Sequence, residues 1–78
     1  MTMDEKMKLD ELREIAEFYF KSQGVVHITF YKGRWYRGKI LEVRDFGFVL
    51  KENLYGDLFI QFSRVDTIEK YEEKGDGV

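Results

Sequence analysis

The sequence has no cysteine, no proline and a single histidine, His27. Without cysteine there is no disulfide framework, and no Cys-His metal cluster can be built around one imidazole. The missing thiols fit a cytoplasmic setting better than an oxidising compartment. Without proline, no segment is barred from the interior of a sheet on that ground. Long apolar runs are missing as well, and the N-terminus is acidic where a signal peptide is basic and then apolar, so neither a membrane span nor a leader is expected. Phosphate loops of the GxGxxG and GxxxxGK[ST] kinds are absent. His27 has no Ser or carboxylate at a triad-like spacing, and the carboxylates are scattered, so no general acid and base stand out. These absences leave no basis for an enzyme, a cofactor, a metal or a small-molecule substrate, and favour a binding module.

What is present fits one small domain over all 78 residues, a length that buries a modest fraction of its surface and gains from oligomerisation. The net charge of −2 conceals a pattern. Residues 1–23 carry 4 Lys/Arg against 6 Asp/Glu, residues 24–64 carry 7 against 4, and residues 65–78 carry 2 against 5. A basic centre between acidic ends is a weak attractor for a polyanion.

Residues 4–22 read as a helix. Leu9, Leu12, Ala16 and Tyr19 recur at three- and four-residue spacing, and Ile15 and Phe18 widen them into a broad apolar face. Thr2 or Asp4 is placed to cap the start, Asp4/Lys8 and Glu17/Lys21 sit at i,i+4, and Gly24 stands where a left-handed C-cap is expected. From Val25 the period becomes two, with Val26, Ile28 and Phe30 on one face and His27, Thr29 and Tyr31 on the other. Lys32-Gly33 makes a tight turn, and a second strand over 34–44 is interrupted at Gly38, where a missing side chain permits a sharp bend. Further strands follow over 48–52, 58–62 and 65–71, separated by a turn at 45–47, a loop at 53–57 and a corner at Ser63-Arg64, with 72–78 as a flexible tail. Five short strands in so short a chain predict a small, strongly bent antiparallel β-barrel, closed or partly open, occupying residues 25–71 behind the helix. The fold class is mainly β with one N-terminal helix.

Two stretches carry candidate binding chemistry. Tyr31-Lys32-Gly33-Arg34-Trp35-Tyr36-Arg37-Gly38-Lys39 alternates four cations with aromatic residues around a hairpin, the combination that neutralises phosphates while rings stack on bases. Alternation puts Trp35 on the face opposite Tyr36, so Trp35 is expected exposed, while Tyr36 suits the core as well as a ligand. The second stretch joins Arg44-Asp45-Phe46-Gly47 to Gln61-Phe62-Ser63-Arg64, which a barrel brings to the same end. Phe46 serves there either as a core ring or as an exposed one.

From Val26 through Lys32-Gly33, four further residues, and then Gly38-Lys39-Ile40-Leu41-Glu42-Val43-Arg44-Asp45-Phe46-Gly47-Phe48-Val49-Leu50, the chain resembles the first motif of the Sm-like (LSm/Hfq-like) family, especially in its bacterial form. Phe59-Ile60-Gln61-Phe62-Ser63-Arg64-Val65-Asp66-Thr67-Ile68 is similar to the second motif and its closing strand. The resemblance covers nearly the whole chain and implies a bent five-stranded barrel of the SH3-like kind. It implies a ring of about five to seven subunits, each joined to the next by its fourth and fifth strands. It also implies binding of single-stranded, typically U-rich RNA near the pore, with Phe46 in the place of the base-stacking aromatic residue. Arg44, Asp45, Phe46, Ser63 and Arg64 are then the candidate pore site, and Lys32, Arg34 and Trp35 a candidate second contact. The chain departs from the family in four places. Arg44 stands where Asp is usual, with Asp45 adjacent; Phe62-Ser63 replaces the basic pair of the second motif; Gln61-Phe62 replaces the Arg-Gly of archaeal and eukaryotic members; and Thr29 replaces the aromatic residue of the A-rich site. Residues 38–63 also resemble an OB-type RNA-binding barrel, and Gly33-Arg34-Trp35-Tyr36-Arg37 a Tudor-type domain whose aromatic cage reads methylated side chains.

Overall fold

A computed structural model describes residues 3–72, with side chains from Lys8 onward. The helix α1 spans Met3–Ser22. Leu12 and Ala16 are its buried centre, and Leu9, Tyr19 and Phe20 pack against the core beside them. The expected face was too broad on one side. Each residue advances roughly 100° around a helix, which carries Ile15 to the flank of the Leu12/Ala16 stripe and Phe18 nearly to the opposite side. Phe18 is accordingly 63% exposed, and Phe20, close to Ala16 in angle, takes the inward place.

The helix ends one residue earlier than its glycine suggests. Gln23, not Gly24, adopts the left-handed conformation, at φ 60°. The Gln23 amide donates to the Phe20 carbonyl at 3.1 Å and the Ser22 hydroxyl to the Tyr19 carbonyl at 3.3 Å, so side chains satisfy carbonyls of the last turn. Glu17 and Lys21 make no ion pair. The Thr2 cap, the side chain of Asp4 with its pairing to Lys8, and the tail beyond Glu72 lie outside what the structure describes. Lys8 donates to the Tyr31 hydroxyl and lies 3.5 Å from Asp66, tying the start of α1 to the sheet. The Tyr31 hydrogen bond raises the Lys8 pKa above its ordinary value; slight desolvation opposes the rise and Asp66 adds to it.

The strands are β1 Val25–Phe30, β2 Trp35–Val43, β3 Gly47–Glu52, β4 Gly56–Gln61 and β5 Val65–Lys70, with a single 3-10 turn, Phe62–Arg64, at the last corner. All neighbours are antiparallel, in the order β4-β3-β2-β1-β5. The sheet bends around a core of Val26, Ile28, Ile40, Phe48, Leu50, Ile60, Phe62, Val65 and Ile68, which α1 covers with Leu12 and Ala16. Burial of each larger side chain is worth about 1.5–3 kcal/mol, so this apolar face dominates the stability. The barrel is open: β4 and β5 are the edges of the sheet and do not pair with each other.

Gly38 does not interrupt β2. It is buried opposite Glu52, and a Cβ there would stand 2.1 Å from the Lys51 carbonyl oxygen, so its role is to let two backbones touch. The irregularity of the β2–β3 ladder falls three residues on, between Ile40 and Glu42, where Leu41 is the extra residue of a bulge. Gly33 at φ 85° and Gly56 at φ 82° supply the left-handed residues of the β1–β2 and β3–β4 turns.

Candidate functional site

The 3-10 corner Phe62–Arg64 is where the candidate residues meet. On one side of it runs the β2–β3 turn, closed by the Arg44 N–H donating to the Gly47 carbonyl at 2.7 Å. The Phe62 N–H donates to the Phe46 carbonyl at 2.9 Å, so the turn and the corner are stitched together by backbone. Gly47 lies buried against β4 with no room for a side chain: a Cβ would stand 2.3 Å from the Ile60 carbonyl oxygen and 2.8 Å from the Phe59 ring. With its neighbour pinned inward, Phe46 projects outward and is 80% exposed. Of the two roles its sequence context allowed, the exposed one holds.

On the other side of the corner lies the β1–β2 hairpin. Its turn is closed by Gly33 N–H to the Phe30 carbonyl at 3.0 Å and Phe30 N–H to the Arg34 carbonyl at 2.9 Å. The Tyr31 N–H approaches the Arg64 carbonyl at 3.5 Å. Between hairpin, corner and β4 is a groove of about 810 Å³. Lys32, Arg34, Ser63 and Arg64 contribute its polar wall and Phe30, Tyr36, Leu58 and Ile60 its apolar lining. Among the described residues no Asp or Glu lines it. Three cations beside apolar and aromatic side chains make an environment suited to an anion that carries a flat or apolar part.

The remaining candidates are placed differently. Tyr36 belongs to the inner face, edge-on to Phe30 at 5.4 Å, so it packs against the core. Trp35 faces the other way and is 55% exposed, its ring 4.9 Å from that of His27 in an edge-to-face pair. It therefore does not share the groove with its neighbours Lys32 and Arg34. His27 has aromatic neighbours, Trp35 and Tyr71. The Arg37 guanidinium lies 4.9 Å above the Tyr71 ring and donates to its hydroxyl at 2.7 Å, so the chain's own cation occupies that ring face. Arg44 is also engaged: its Nε and Nη2 donate to Glu42 Oε2 at 3.0 and 2.8 Å, and its guanidinium sits 5.6 Å from the Phe59 ring centroid.

Two residues of the site region carried no sequence signal. Arg13 of α1 reaches the β2–β3 turn, with Nη1 3.5 Å from the Asp45 carbonyl oxygen and Nη2 3.0 Å from Asp10 Oδ1. Only the i,i+3 pairing with Asp10 was visible in the chain. Glu52 is buried, and its Oε2 accepts from the Leu54 and Tyr55 N–H groups at 2.6 and 2.7 Å, bracing the β3–β4 turn whose Tyr55 ring meets Tyr36 at 6.2 Å. Among the described residues no three His, Asp or Glu side chains are grouped to hold a metal, and no helix is long and apolar enough to cross a membrane.

No protein-family model matches the chain, and no curated protein matches it in sequence. Among solved structures it is similar to a 1.55 Å crystal structure of the pleiotropic translational regulator Hfq, with a TM-score of 0.65 and 20% sequence identity over 72% of this chain and 92% of that one. At that identity the likeness is one of fold: an N-terminal helix followed by five antiparallel strands in a bent, open sheet of the Sm-like kind, in place of an OB-type barrel.

Proposed function

We propose that this chain is an Sm-like RNA-binding protein of the cytoplasm, assembled into a homo-oligomeric ring through its edge strands, that takes single-stranded U-rich RNA at the corner Phe62–Arg64. The observation that carries the reading is the juxtaposition at that corner of an 80% exposed aromatic ring, Phe46, and a groove whose charged residues are all cations. A base stacks on Phe46 while Lys32, Arg34 and Arg64 face phosphates, and Ser63 offers a hydroxyl. Base stacking on an aromatic side chain is worth about 1–3 kcal/mol per base. Asp45, exposed on the same turn, is available to accept from a base edge. Arg44 is held by Glu42 and Phe59 and is the weakest of the cations proposed for this role. Trp35, on the outer face, provides a second stacking surface.

The test is a titration of short labelled U-rich, A-rich and mixed RNAs by fluorescence anisotropy at two salt concentrations. Binding that prefers U-rich RNA and weakens with salt is expected, since displaced counterions make phosphate contacts salt-dependent. Absence of binding at micromolar protein in low salt would sink the proposal.

A second reading, a structural or protein-interaction barrel that keeps the fold without an RNA site, is favoured by the corner itself. Where the Sm-like family has its basic pair, this chain has a buried Phe62 and an uncharged Ser63. Under that reading, replacing Phe46 or Trp35 by Ala leaves any RNA signal unchanged.

A further inference from the structure

We infer that the β3–β4 turn, with the β1–β2 turn at the same end of the sheet, is a docking surface for an anionic lipid bilayer; the inference goes beyond the RNA reading and does not depend on it. Among the described residues Leu54 is the most exposed large apolar side chain, at 83%, and Tyr55 beside it is 68% exposed. Neither lines the groove or belongs to the Phe46 turn. Glu52 pairs with Gly38, so the turn beyond it reaches back toward the start of β2, where the Tyr55 ring meets that of Tyr36 at 6.2 Å. Lys32 and Arg34 lie just before that start, on the β1–β2 turn. The apolar tip therefore shares one end of the sheet with two exposed cations and the half-exposed Trp35.

The turn is held by backbone, which leaves its side chains free for a partner. The Leu54 and Tyr55 N–H groups both donate to the buried carboxylate of Glu52, at 2.6 and 2.7 Å, and Gly56 supplies the positive φ that reverses the chain. Amides that already have a partner avoid the penalty of taking an unpaired donor out of water. Leucine supplies apolar insertion, while tyrosine and tryptophan are the ring types that settle at headgroup level. A nucleic-acid base stacks on a flat group, and Leu54 offers none. That favours lipid over RNA at the tip. Charge then selects the kind of bilayer. Lys32 and Arg34 make no ion pair among the described residues. Of the carboxylates that begin the adjoining strands, Asp66 lies 3.5 Å from Lys8, and Asp57 stands opposite Lys51, whose other cross-strand neighbour is Lys39. The balance at this end is positive, and it complements acidic headgroups.

The experiment floats the nuclease-treated full chain with vesicles of phosphatidylcholine alone or of phosphatidylcholine and phosphatidylglycerol in equal parts, at two salt concentrations. The variants are Leu54→Ser, the pair Lys32→Gln with Arg34→Gln, and Lys21→Gln on the last turn of α1 as a control for bulk charge, with thermal unfolding as a folding check. The parent is expected to float with the mixed vesicles, to stay behind with phosphatidylcholine alone and to be released by salt. Leu54→Ser is expected to weaken partitioning about fivefold without changing the melt, and loss of the two cations to weaken it by about fivefold for each. Lys21→Gln is expected to change nothing. A parent that fails to float with the mixed vesicles overturns the inference and leaves the RNA reading untouched. Equal flotation of Leu54→Ser and the parent also overturns it: a lower mass for that variant in native mass spectrometry would then assign the tip to contacts between copies of the chain, and an unchanged mass would leave charge attraction alone. Losses in Lys21→Gln as large as in the cation pair overturn it as well, by showing a bulk charge effect.

Discussion

Glu52 is the charged side chain that the fold buries among the described residues, and it does so to serve backbone. Both of its hydrogen bonds run to one carboxylate oxygen from successive N–H groups of the β3–β4 turn. Glu52→Ala leaves those donors without their partner, at a cost of about 1–2 kcal/mol, seen as a fall in Tm of roughly 5–10 °C for a domain of this size. Glu52→Gln keeps a carbonyl oxygen in the same place and is expected to lose less than half as much in the same melt. Gly38→Ala is the harsher change, because the new methyl meets the Lys51 carbonyl oxygen at 2.1 Å, a backbone atom that moves only with its strand. A loss of about 3 kcal/mol is expected, measured by urea unfolding. At Phe46 stability and binding separate: its ring touches water, so Phe46→Ala is expected to leave the unfolding midpoint within about 0.5 kcal/mol of the parent while RNA affinity falls. A matching fall in stability would mean the ring packs inward and is not a binding platform.

At the scale of elements, α1 is held by a narrow stripe. Leu12→Ala is expected to cost about 2–4 kcal/mol in denaturant unfolding, whereas Phe18→Ser, nearly opposite on the helix, is expected to stay within about 0.5 kcal/mol. The apolar pattern of the sequence puts both on one face. Helix and strands were legible because a period of 3.6 and a period of two leave different patterns, and their bounds fall within a residue or two of those observed. The helix rotation is not legible because adjoining apolar residues merge into one broad face in the sequence, and contact with β2 and β5 selects between Phe18 and Phe20. Gln23 took the left-handed position expected of Gly24, with side chains of the last turn satisfying its carbonyls, a local bargain that composition does not reveal. Exposure of Trp35 followed from alternation alone. The groove did not, because Lys32 and Arg64 become neighbours only once β5 lies beside β1. Arg13 was hidden for the same reason, its approach to Asp45 arising from the docking of α1 and not from any spacing in the chain.

For the whole molecule, the open edges are the unresolved physical problem. Among the described residues β4 and β5 each have one side without a partner strand, and the groove runs along β4 with Leu58 and Ile60 in its lining. Exposed edges of this kind invite pairing with another chain; β5 carries the exposed charges Asp66, Glu69 and Lys70, whereas no proline occurs and Phe59 on β4 is half-exposed and apolar. Head-to-tail pairing of β4 with the β5 of another copy would satisfy both edges at once and, if the rotation closes, consume every edge in a ring. The expected outcome in native mass spectrometry is a single closed species at a multiple of the 9.4 kDa chain. Hydrogen exchange adds the local test. In such a ring the amides of Gly56–Gln61 and Val65–Lys70 should be protected as well as those of the central strand β2 and should lose protection on dilution. A monomer with fast-exchanging outer amides would leave both edges open and remove the basis for a pore. The same amides protected at every dilution in a monomeric species would mean that the edges are covered from within the chain.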